Sequence, residues 1–367
     1  MKARPMLGGM LLAIVLVALT SACATGSNDP TPGNPLVIFP TPPDTPRIQF
    51  LARFSSSLDI EEQSTSIWES IIGQTEEQER HIIKPYGISI YRGKIYICDT
   101  TLSAVDIIDL DARTFEYFKP RGSGTLRKPI NCVVDQQTGN LFVADAARGQ
   151  VVVFDTAGAY IAGFGHGAGS QPTDVFIERD RIWVSDLGNK QVHVYDKRSY
   201  DLLFSFPNCE QGAPGYLYTP TNIWVTDTEV YVSDFLGFQV QVYDRNGEYL
   251  RTVGSHGNRL GQFARPKGIA VDRASNLYVV DAAFQNVQVF DRDGQLLMFF
   301  GGGYAGPGYM WLPAKVTIDY DNLDYFRQYV HPSFDLKYLI FVTNQYGPDK
   351  VSVYGFVGPL EQPIATR

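Results

Sequence analysis

Short apolar segments closed by an acidic residue recur along most of the chain. Five of them read IYICD, LFVAD, IWVSD, VYVSD and LYVVD, and they end at Asp99, Asp145, Asp186, Asp234 and Asp281. A sixth segment, IFVTN, ends at Asn344. The end points are separated by 46, 41, 48, 47 and 63 residues. Repetition at this period indicates a fold built from copies of one supersecondary unit.

Each unit contains four strand-like segments. The first segment opens with a proline, at Pro85, Pro129, Pro172, Pro220, Pro266 and Pro313. The third alternates strictly between apolar and other residues, as in VHVYD and VQVYD, which is the period of a strand with two different faces. The fourth is rich in aromatic and large apolar residues, as in LLFSF. Because one four-stranded blade cannot bury both faces, six units predict an all-β, six-bladed propeller.

The two ends of the chain are predicted to close the ring. The sixth unit has no fourth strand after VSVYG at 351–355, whereas RIQFLARF at 47–54 has the pattern of a fourth strand. We therefore expect Ile48–Phe54 to pair with Val351–Tyr354 and complete the last blade, because this pairing removes two open sheet edges.

One unit carries a specific resemblance. The segment RPKGIAVDRASNLYVVDAAFQNVQVFDRDGQLLMFFG at 265–301, preceded by the glycine-rich GSHGNRLGQF at 254–263, resembles NHL repeats. The similarity covers about residues 84–356. It implies an NHL-like six-bladed propeller, which we place at 47–358, followed by a tail at 359–367. The strand count leads to the same architecture.

The repeated aspartate is predicted to be structural. It follows a buried strand and precedes a turn, where a carboxylate accepts hydrogen bonds from nearby backbone N–H groups. A catalytic acid is needed once or twice, not five times. Function is therefore expected where the blades differ from one another.

The N-terminal segment is predicted to direct export. Lys2 and Arg4 precede an apolar run at 6–19 that is short for a membrane span, and small residues follow. The sequence LTSAC resembles the signal of bacterial lipoproteins, which implies cleavage of residues 1–23 and lipidation of Cys23 at the new N-terminus. By analogy with lipoprotein sorting, Ala24 favours the outer membrane over the inner membrane. The predicted location is the bacterial cell envelope.

Two further segments have distinct compositions. Residues 24–46 are rich in proline and are predicted to form an extended tether. Residues 59–80 place Ile67, Trp68 and Ile71 at helical spacing, which predicts a short helix across one face of the ring.

The formal net charge of −8, and −10 after loss of Lys2 and Arg4, argues against a nucleic-acid partner.

The channel offers candidate ligand residues. The position two after each opening proline is expected to ring one mouth of the channel, and it holds Gly87, Asn131, Asp174, Asn222, Gly268 and Lys315. Asn131, Asp174 and Asn222 are consecutive and form an oxygen-rich arc that can bind Ca²⁺ or another ligand. The alternative is a solvated channel lining.

Two segments are candidates for contact with a protein partner. Unit six contains an aromatic and acidic insertion at 319–338, which accounts for the interval of 63 residues. A turn of unit four, DFLGFQ, carries apolar residues where other units are polar. The candidate contact residues in these segments and in the equivalent turn of unit six are Tyr325, Phe326, Tyr329, Phe235, Phe238 and Tyr346. The alternatives are a loop without a specific partner and packing over a neighbouring blade.

The histidines and cysteines predict neither a zinc site nor a catalytic nucleophile. Peptide-amidating lyases share these repeats and hold zinc with histidines, but no three of His81, His166, His193, His256 and His331 are expected to converge by repeat register. Lactonase-like propellers use Ca²⁺, which keeps the oxygen-rich arc open as an alternative. No Ser-His-Asp grouping is apparent. Cys98 and Cys132 are expected to be buried free thiols, and the alternative left open is a disulfide that involves Cys209 in the loop PNCEQ.

The sequence thus predicts a lipid-anchored envelope propeller that binds an envelope protein as a scaffold, without bond-making chemistry or a required cofactor. The alternative is a Ca²⁺-dependent hydrolase or lyase, lactonase-like, with its site at the channel mouth.

Overall fold

The computed structural model describes residues 36–60 and 79–360. Predictions for Cys23, for most of the tether and the 59–80 helix, and for the tail beyond residue 360 lie outside these ranges. Within them, no helix has the length and apolar character needed to cross a membrane.

The described residues form six antiparallel sheets, each of which is a blade, and the predicted six-bladed propeller is confirmed. Blade one comprises β3 (Pro85–Tyr91), β4 (Lys94–Asp99), β5 (Ala104–Asp109) and β6 (Thr114–Phe118). Blade two comprises β7 (Pro129–Val134), β8 (Leu141–Asp145), β9 (Gln150–Phe154) and β10 (Tyr160–Phe164). Blade three comprises β11 (Pro172–Glu178), β12 (Arg181–Asp186), β13 (Gln191–Asp196) and β14 (Leu202–Phe206).

The remaining blades follow the same order, and every innermost strand begins at its opening proline. Blade four comprises β15 (Pro220–Val225), β16 (Glu229–Asp234), β17 (Gln239–Asp244) and β18 (Tyr249–Val253). Blade five comprises β19 (Pro266–Val271), β20 (Leu277–Asp281), β21 (Asn286–Phe290) and β22 (Leu296–Gly301). Blade six comprises β23 (Pro313–Asp319), β24 (Phe334–Asn344), β25 (Val351–Pro359), β2 (Ile48–Phe54) and β1 (Ile38–Phe39), with a short helix α1 (Leu323–Arg327) between β23 and β24.

The predicted ring closure is confirmed. Strand β2 pairs with β25 in the expected antiparallel register, with Phe54 opposite Val351 and Phe50 opposite Tyr354. The first and last described strands of the ring therefore share one sheet, and blade six is held together by segments about 300 residues apart in the chain.

The hydrophobic core is divided among the blade interfaces. Six clusters of buried apolar side chains are present, and each joins two consecutive blades. The cluster between blades six and one contains Phe54 from β2, Phe326 from α1 and Ile97 from β4. Each blade thus buries its two faces against its two neighbours, as a ring of short sheets requires.

The structural role predicted for the repeated aspartate is confirmed. One oxygen of Asp99 accepts hydrogen bonds from the backbone N–H groups of Ile83 and Lys84, 2.7 and 2.9 Å away, just before the innermost strand. The other accepts from Thr101 and Leu102 in the following turn, both at 2.9 Å. The carboxylates of Asp145, Asp186, Asp234 and Asp281 likewise accept from backbone N–H groups both before the innermost strand and in the following turn, with the two oxygens shared differently between the donors.

Asn344 replaces the aspartate in blade six. Its side-chain oxygen accepts from the backbone of Trp311 at 3.2 Å, and its amide nitrogen donates to the carbonyl of Asp349 at 2.8 Å. An amide can both donate and accept, so the longer turn of blade six is held from the same position.

Two boundaries differ from the sequence expectation. The last part of the predicted tether packs on the propeller, because β1 pairs with β2 and the Phe39 ring lies 6.3 Å from that of Phe300. The insertion at 319–338 is also not all loop. Its residues from Phe334 onward extend β24, and Phe334 pairs with Pro359 at the end of a lengthened β25.

Replacing Phe54 should destabilise the closed ring. Phe54 is 2% exposed and contacts Phe326 edge-on at 6.3 Å, so Phe54→Ala leaves a cavity at the closing interface. We expect a loss of about 3–5 kcal/mol in the free energy of unfolding, measured by urea denaturation. The matched control is Phe299→Ala on an outermost strand, where the side chain is 42% exposed and the loss should be below about 1 kcal/mol. Equal effects at both sites would contradict closure through β2.

Candidate functional site

The six innermost strands line a central channel and run in the same direction. Hydrogen bonds join neighbouring strands near their starts: Asn131 Nδ2 donates to the carbonyl of Thr173 at 3.1 Å, and Thr173 Oγ1 donates to that of Pro220 at 3.1 Å. We call the face where these strands begin the upper face and the opposite face the lower face. Because the sheets are antiparallel, two kinds of connection lie on the upper face: the turns between second and third strands and the segments that lead from one blade to the next. The turns between first and second strands and between third and fourth strands lie on the lower face.

The predicted oxygen-rich arc lies in the channel wall. Asn131, Asp174 and Asn222 are all buried, at no more than 1% exposure. Asn222 Nδ2 donates to Asp174 Oδ2 at 3.2 Å, and the backbone N–H of Ile223 donates to the same oxygen at 3.0 Å. Asp174 Oδ1 accepts from the backbone N–H of Val175 at 2.9 Å. Both oxygens of the one carboxylate in the arc are therefore already hydrogen-bonded within the wall.

The main partner of Asp174 comes from the opposite side of the channel. Lys315, on the innermost strand of blade six, places its Nζ 2.5 Å from Asp174 Oδ2 in blade three. The two side chains are only 7% and 2% exposed. Since blades three and six face each other in a ring of six, this ion pair bridges the channel. Removing one partner of a buried pair leaves an uncompensated charge, which is strongly destabilising.

This geometry does not fit the Ca²⁺ site that the arc suggested. A calcium ion needs several free oxygen ligands, preferably with more than one carboxylate, whereas the ammonium of Lys315 occupies the position a cation would take beside Asp174. Among the described residues, no group of three or more His, Cys, Asp or Glu side chains is arranged to hold a metal ion. The arc does retain unused acceptors, because the side-chain oxygens of Asn131 and Asn222 are buried without a hydrogen-bond partner.

Glycine at the same ring position has a packing reason. A side-chain carbon at Gly87 would lie 2.4 Å from the Cα of Asn131, and one at Gly268 would lie 2.4 Å from the Cα of Lys315. The neighbouring strands thus approach too closely for any larger residue there. Blades one and five contribute backbone to this layer of the channel, whereas blades two, three, four and six contribute polar side chains.

Below the bridge, the channel widens into a cavity of about 590 Å³ that opens at the lower face. The Asp174 and Lys315 side chains lie at its inner end, and Trp224 and Phe176 contribute aromatic walls. Its volume is within the range of small-molecule sites. The sequence offered no signal for this cavity, because its lining is spread over the ends of five different blades.

The predicted partner-contact residues fall on opposite faces. Phe235, Phe238 and Tyr346 lie in upper-face turns, whereas Tyr325 and Tyr329 lie in the blade-six insertion at the lower face. Phe326 is corrected: it is fully buried and packs on Phe54 and Phe341, so it belongs to the core and offers no exposed surface. The aromatic composition of the insertion grouped Phe326 with Tyr329, but Phe326 packs in the blade interface whereas Tyr329 is 42% exposed.

The upper face exposes several large apolar side chains. Leu236 is 56% exposed in blade four, and Tyr304 and Tyr346 are 71% and 54% exposed in the blade-six loops. Trp311 is 39% exposed and lies beside Tyr346, whose backbone N–H donates to the Trp311 carbonyl at 3.3 Å. Phe238 is half-buried, and its ring lies 4.2 Å from that of His256 in a tilted arrangement on the side of blade five. Exposed aromatic and large aliphatic residues that share a face are typical of an interaction surface.

The described cysteines are free. Cys98 and Cys132 are buried together at the interface of blades one and two, as expected, and Cys209 is exposed.

Blade three contains a Ser-His-Asp chain that sequence reasoning missed. His193 Nε2 lies 3.4 Å from Asp186 Oδ2, and His193 Nδ1 lies 2.7 Å from Ser205 Oγ. His193 is buried and stacks on His166 at 4.2 Å. The residues lie on three strands of one sheet, so only their register in β12, β13 and β14 brings them together.

The repeat indicates that this chain of residues is structural. Asp186 is the blade aspartate, and the cross-strand pair His193–Ser205 corresponds in register to Gln241–Thr252 in blade four. There, Thr252 Oγ1 donates to Gln241 Oε1 at 2.8 Å. An equivalent polar pair thus occurs in blade four without histidine or serine. We therefore assign the His193–Ser205 pair a structural role within the blade.

Comparisons with known proteins support the fold. A family model described as 6-bladed beta-propeller matches residues 216–308, which span blades four and five. No curated protein sequence matches the chain significantly.

Solved structures with the same fold are distant in sequence. A streptogramin B lyase is similar at 12% identity with a TM-score of 0.52, over 76% of this chain and 84% of that one. A catalytically inactive variant of virginiamycin B lyase from Staphylococcus aureus, solved with quinupristin, is 13% identical with a TM-score of 0.53, over 75% and 95% of the two chains. A structural genomics protein of unknown function from Bacteroides thetaiotaomicron is 15% identical with a TM-score of 0.56, over 76% and 70%. At these identities the similarity shows the fold alone and carries no information about activity.

Asp186 should make acid stability depend on pH. Burial opposes its ionisation, but hydrogen bonds from His193, Ser170 and backbone amides outweigh burial and hold the pKa of Asp186 at about 2. Because an unfolded aspartate has a pKa near 3.9, this carboxylate stabilises the fold above about pH 4, and the contribution disappears as the pH falls toward 2. Asp186→Asn should therefore lose about 2 kcal/mol at pH 7, with the difference from wild type shrinking between pH 4 and 2 in urea denaturation.

A graded comparison is His193→Gln, which carries the residue found at this position in blades four and five. It removes the hydrogen bond that lowers the pKa of Asp186 most but leaves Ser170 and the backbone N–H donors in place, so it should reduce the pH dependence between 4 and 2 without abolishing it. A pH-independent difference between Asp186→Asn and wild type would refute the assignment.

Proposed function

We propose that this chain is a lipid-anchored propeller of the bacterial cell envelope that acts as a protein-binding scaffold. The anchor is the lipidated Cys23, and the tether ahead of the propeller holds the ring away from the membrane. The outer membrane is the proposed location, on the basis of Ala24. The upper face is the proposed surface of contact with another envelope protein.

The observation that carries this proposal is the exposed apolar surface of the upper face. Leu236, Tyr304, Trp311 and Tyr346 come from different blades and loops, yet they are all exposed on one side of the ring. Aromatic side chains supply much of the binding energy at protein interfaces. A rigid ring that presents such residues in fixed positions is suited to binding a folded partner without changing shape.

The channel chemistry also favours a scaffold over a metal-dependent enzyme. Asp174, the only carboxylate of the candidate arc, forms an ion pair with Lys315 and accepts three further hydrogen bonds. An ion pair of this kind stabilises a particular arrangement of six blades and leaves no free base beside a metal.

Substitutions on the upper face should release the partner. In the double variant Leu236→Asp with Tyr346→Asp, two charges enter the apolar surface, so co-purification of the partner from solubilised envelopes should fall by about tenfold or more. A photo-crosslinking residue in place of Tyr304 captures the partner before isolation. Quantitative mass spectrometry then measures the amount of partner isolated with each variant.

The matched control is Leu297→Asp, at a side chain that is 54% exposed on the outer edge of blade five. It should leave co-purification unchanged. The scaffold proposal fails if the chain isolates without any stoichiometric partner, and the choice of face fails if Tyr329→Asp, on the lower face, has the larger effect.

A second candidate function is an enzyme that works in the channel. The observation in its favour is the lower cavity, which is large enough for a small molecule and has a buried charged pair at its inner end. Two of the similar folds are lyases by name. The Ca²⁺-dependent hydrolase or lyase predicted from sequence would need Lys315 to leave Asp174, so it is the weaker proposal.

Metal content separates these two functions. We expect the purified full chain to contain far less than one Ca²⁺ per chain after equilibration with calcium, because the Lys315 ammonium excludes a cation from Asp174. Inductively coupled plasma mass spectrometry before and after chelation measures this. About one ion per chain in wild type, lost in Asp174→Ala and kept in Asp186→Asn, would establish the metal-dependent alternative instead.

A further inference from the structure

The connections at the upper face are basic in an otherwise acidic chain, and their excess of positive charge exceeds the five buried blade aspartates at the adjoining strand ends. The chain carries a net charge of −8, yet the described connections at the upper face contain eleven lysines and arginines against four acidic residues. The basic residues are Arg80, Lys84, Lys119, Arg121, Arg127, Lys128, Arg148, Lys190, Arg259, Arg265 and Lys350. The acidic residues are Asp59, Glu79, Glu210 and Asp349. Such a separation of charge creates a local positive field that attracts anionic groups.

Three cations meet at the upper mouth of the channel. Lys84 and Arg265 directly precede the opening prolines of blades one and five, and Lys267 follows the opening proline of blade five. Lys267 Nζ lies 5.4 Å from the centre of the Tyr86 ring in blade one. It reaches across blade six, where the corresponding residue is the small and buried Ala314. Lys267 therefore lies over the channel opening, which makes the mouth cationic.

Aromatic rings hold these cations in place. Lys84 Nζ lies 5.4 Å from the centre of the Tyr346 ring, and Lys267 lies over Tyr86. A cation over an aromatic face is attracted to the ring but keeps its charge available to other groups. Tyr346 and its neighbour Trp311 are exposed, so charged and apolar contact surfaces adjoin at the mouth.

The carboxylates beside the mouth are bound to backbone groups. Asp99 and Asp281 accept hydrogen bonds from the backbone N–H groups of Lys84 and Arg265. In the described ranges, no side-chain ion pair joins Lys84, Arg265 or Lys267 to an acidic residue. Burial, and then repulsion from Arg265 and Lys84, lowers the pKa of Lys267 to about 8. Holding positive charges close together without an ion-pair partner costs free energy. Such an arrangement is what a preformed anion site requires.

We propose that this mouth binds a carboxylate of an acidic protein segment, contacted by Lys84, Arg265 and Lys267, while Tyr346 and Trp311 contact apolar side chains beside it. The inference rests on the proposed scaffold function and specifies the chemistry of its partner. A protein segment is favoured over a free inorganic anion because the cations adjoin exposed aromatic residues, which a small anion would leave uncovered. Electrostatic complementarity of this kind directs association and sets specificity.

The test measures binding of a fluorescent hexaglutamate peptide to the full chain in non-ionic detergent by anisotropy. Residues 61–78, which lie outside the described ranges and carry five glutamates, remain in the chain, so any competition from them is included. The variant Lys84→Gln with Lys267→Gln should weaken binding by about tenfold or more, and wild-type affinity should fall as salt rises.

The matched control removes the same charge from the lower face. Arg198→Gln with Arg292→Gln alters two exposed residues in lower-face turns and should change hexaglutamate affinity by less than about twofold. Equal losses in the two double variants would show a nonspecific charge effect and overturn the proposal. Displacement of hexaglutamate by an equal concentration of inorganic phosphate would also overturn it, because the site would then take small anions in general.

Failure of this inference can be told apart from failure of the scaffold function. If Leu236→Asp with Tyr346→Asp releases the envelope partner but Lys84→Gln with Lys267→Gln does not, the scaffold stands and the acidic-segment site is wrong. If no partner co-purifies with wild type, the scaffold itself is wrong, whatever the hexaglutamate result.

Discussion

Closure of the ring is the constraint on which the rest of this structure depends. A blade of four short strands has two apolar faces, and each can be buried only against another blade. The pairing of β2 with β25 supplies the last outer strand and completes the interface between blades six and one, where Phe54, Phe326 and Phe341 pack together. Without it, two apolar faces and a strand edge would meet water, and every other interface would lose the geometry of a closed ring.

Within that ring, one interaction is repeated to join sequence-distant segments of each blade. The carboxylate at the end of the second strand binds backbone N–H groups before the innermost strand and in the next turn. It thereby fixes the start of the innermost strand, which is the element that lines the channel. Regular placement of these starts allows residues at one repeat position to meet in the channel wall, and it brings Lys315 within reach of Asp174 on the far side.

The two mouths of the channel then acquire different characters. The lower mouth leads to a cavity that ends at the buried ion pair, whereas the upper mouth is cationic and borders exposed aromatic residues. The scaffold proposal and the anion-site proposal both start from the upper face, because apolar side chains are exposed there and because Lys84, Arg265 and Lys267 form no side-chain ion pair among the described residues. The lower cavity is what the enzyme alternative rests on. The Asp174–Lys315 pair lies at the inner end of that cavity.

The amino-acid sequence by itself determined the repeat, the six blades, the closing pair of strands and the structural role of the aspartate. These features depend on local order: alternation along a strand, a proline at its start and an acid at its end are readable without knowing what lies across the ring. Tertiary structure alone decided that Asp174 is paired with Lys315, since the two are 141 positions apart and their meeting depends on the ring having six members. It also decided that Phe326 is buried while Tyr329 is exposed, that Asp186, His193 and Ser205 form a chain, and that eleven basic residues lie in the connections of one face. The physical reason is the same in each case: contacts across blades are set by the register and rotation of whole sheets, which no short stretch of sequence encodes.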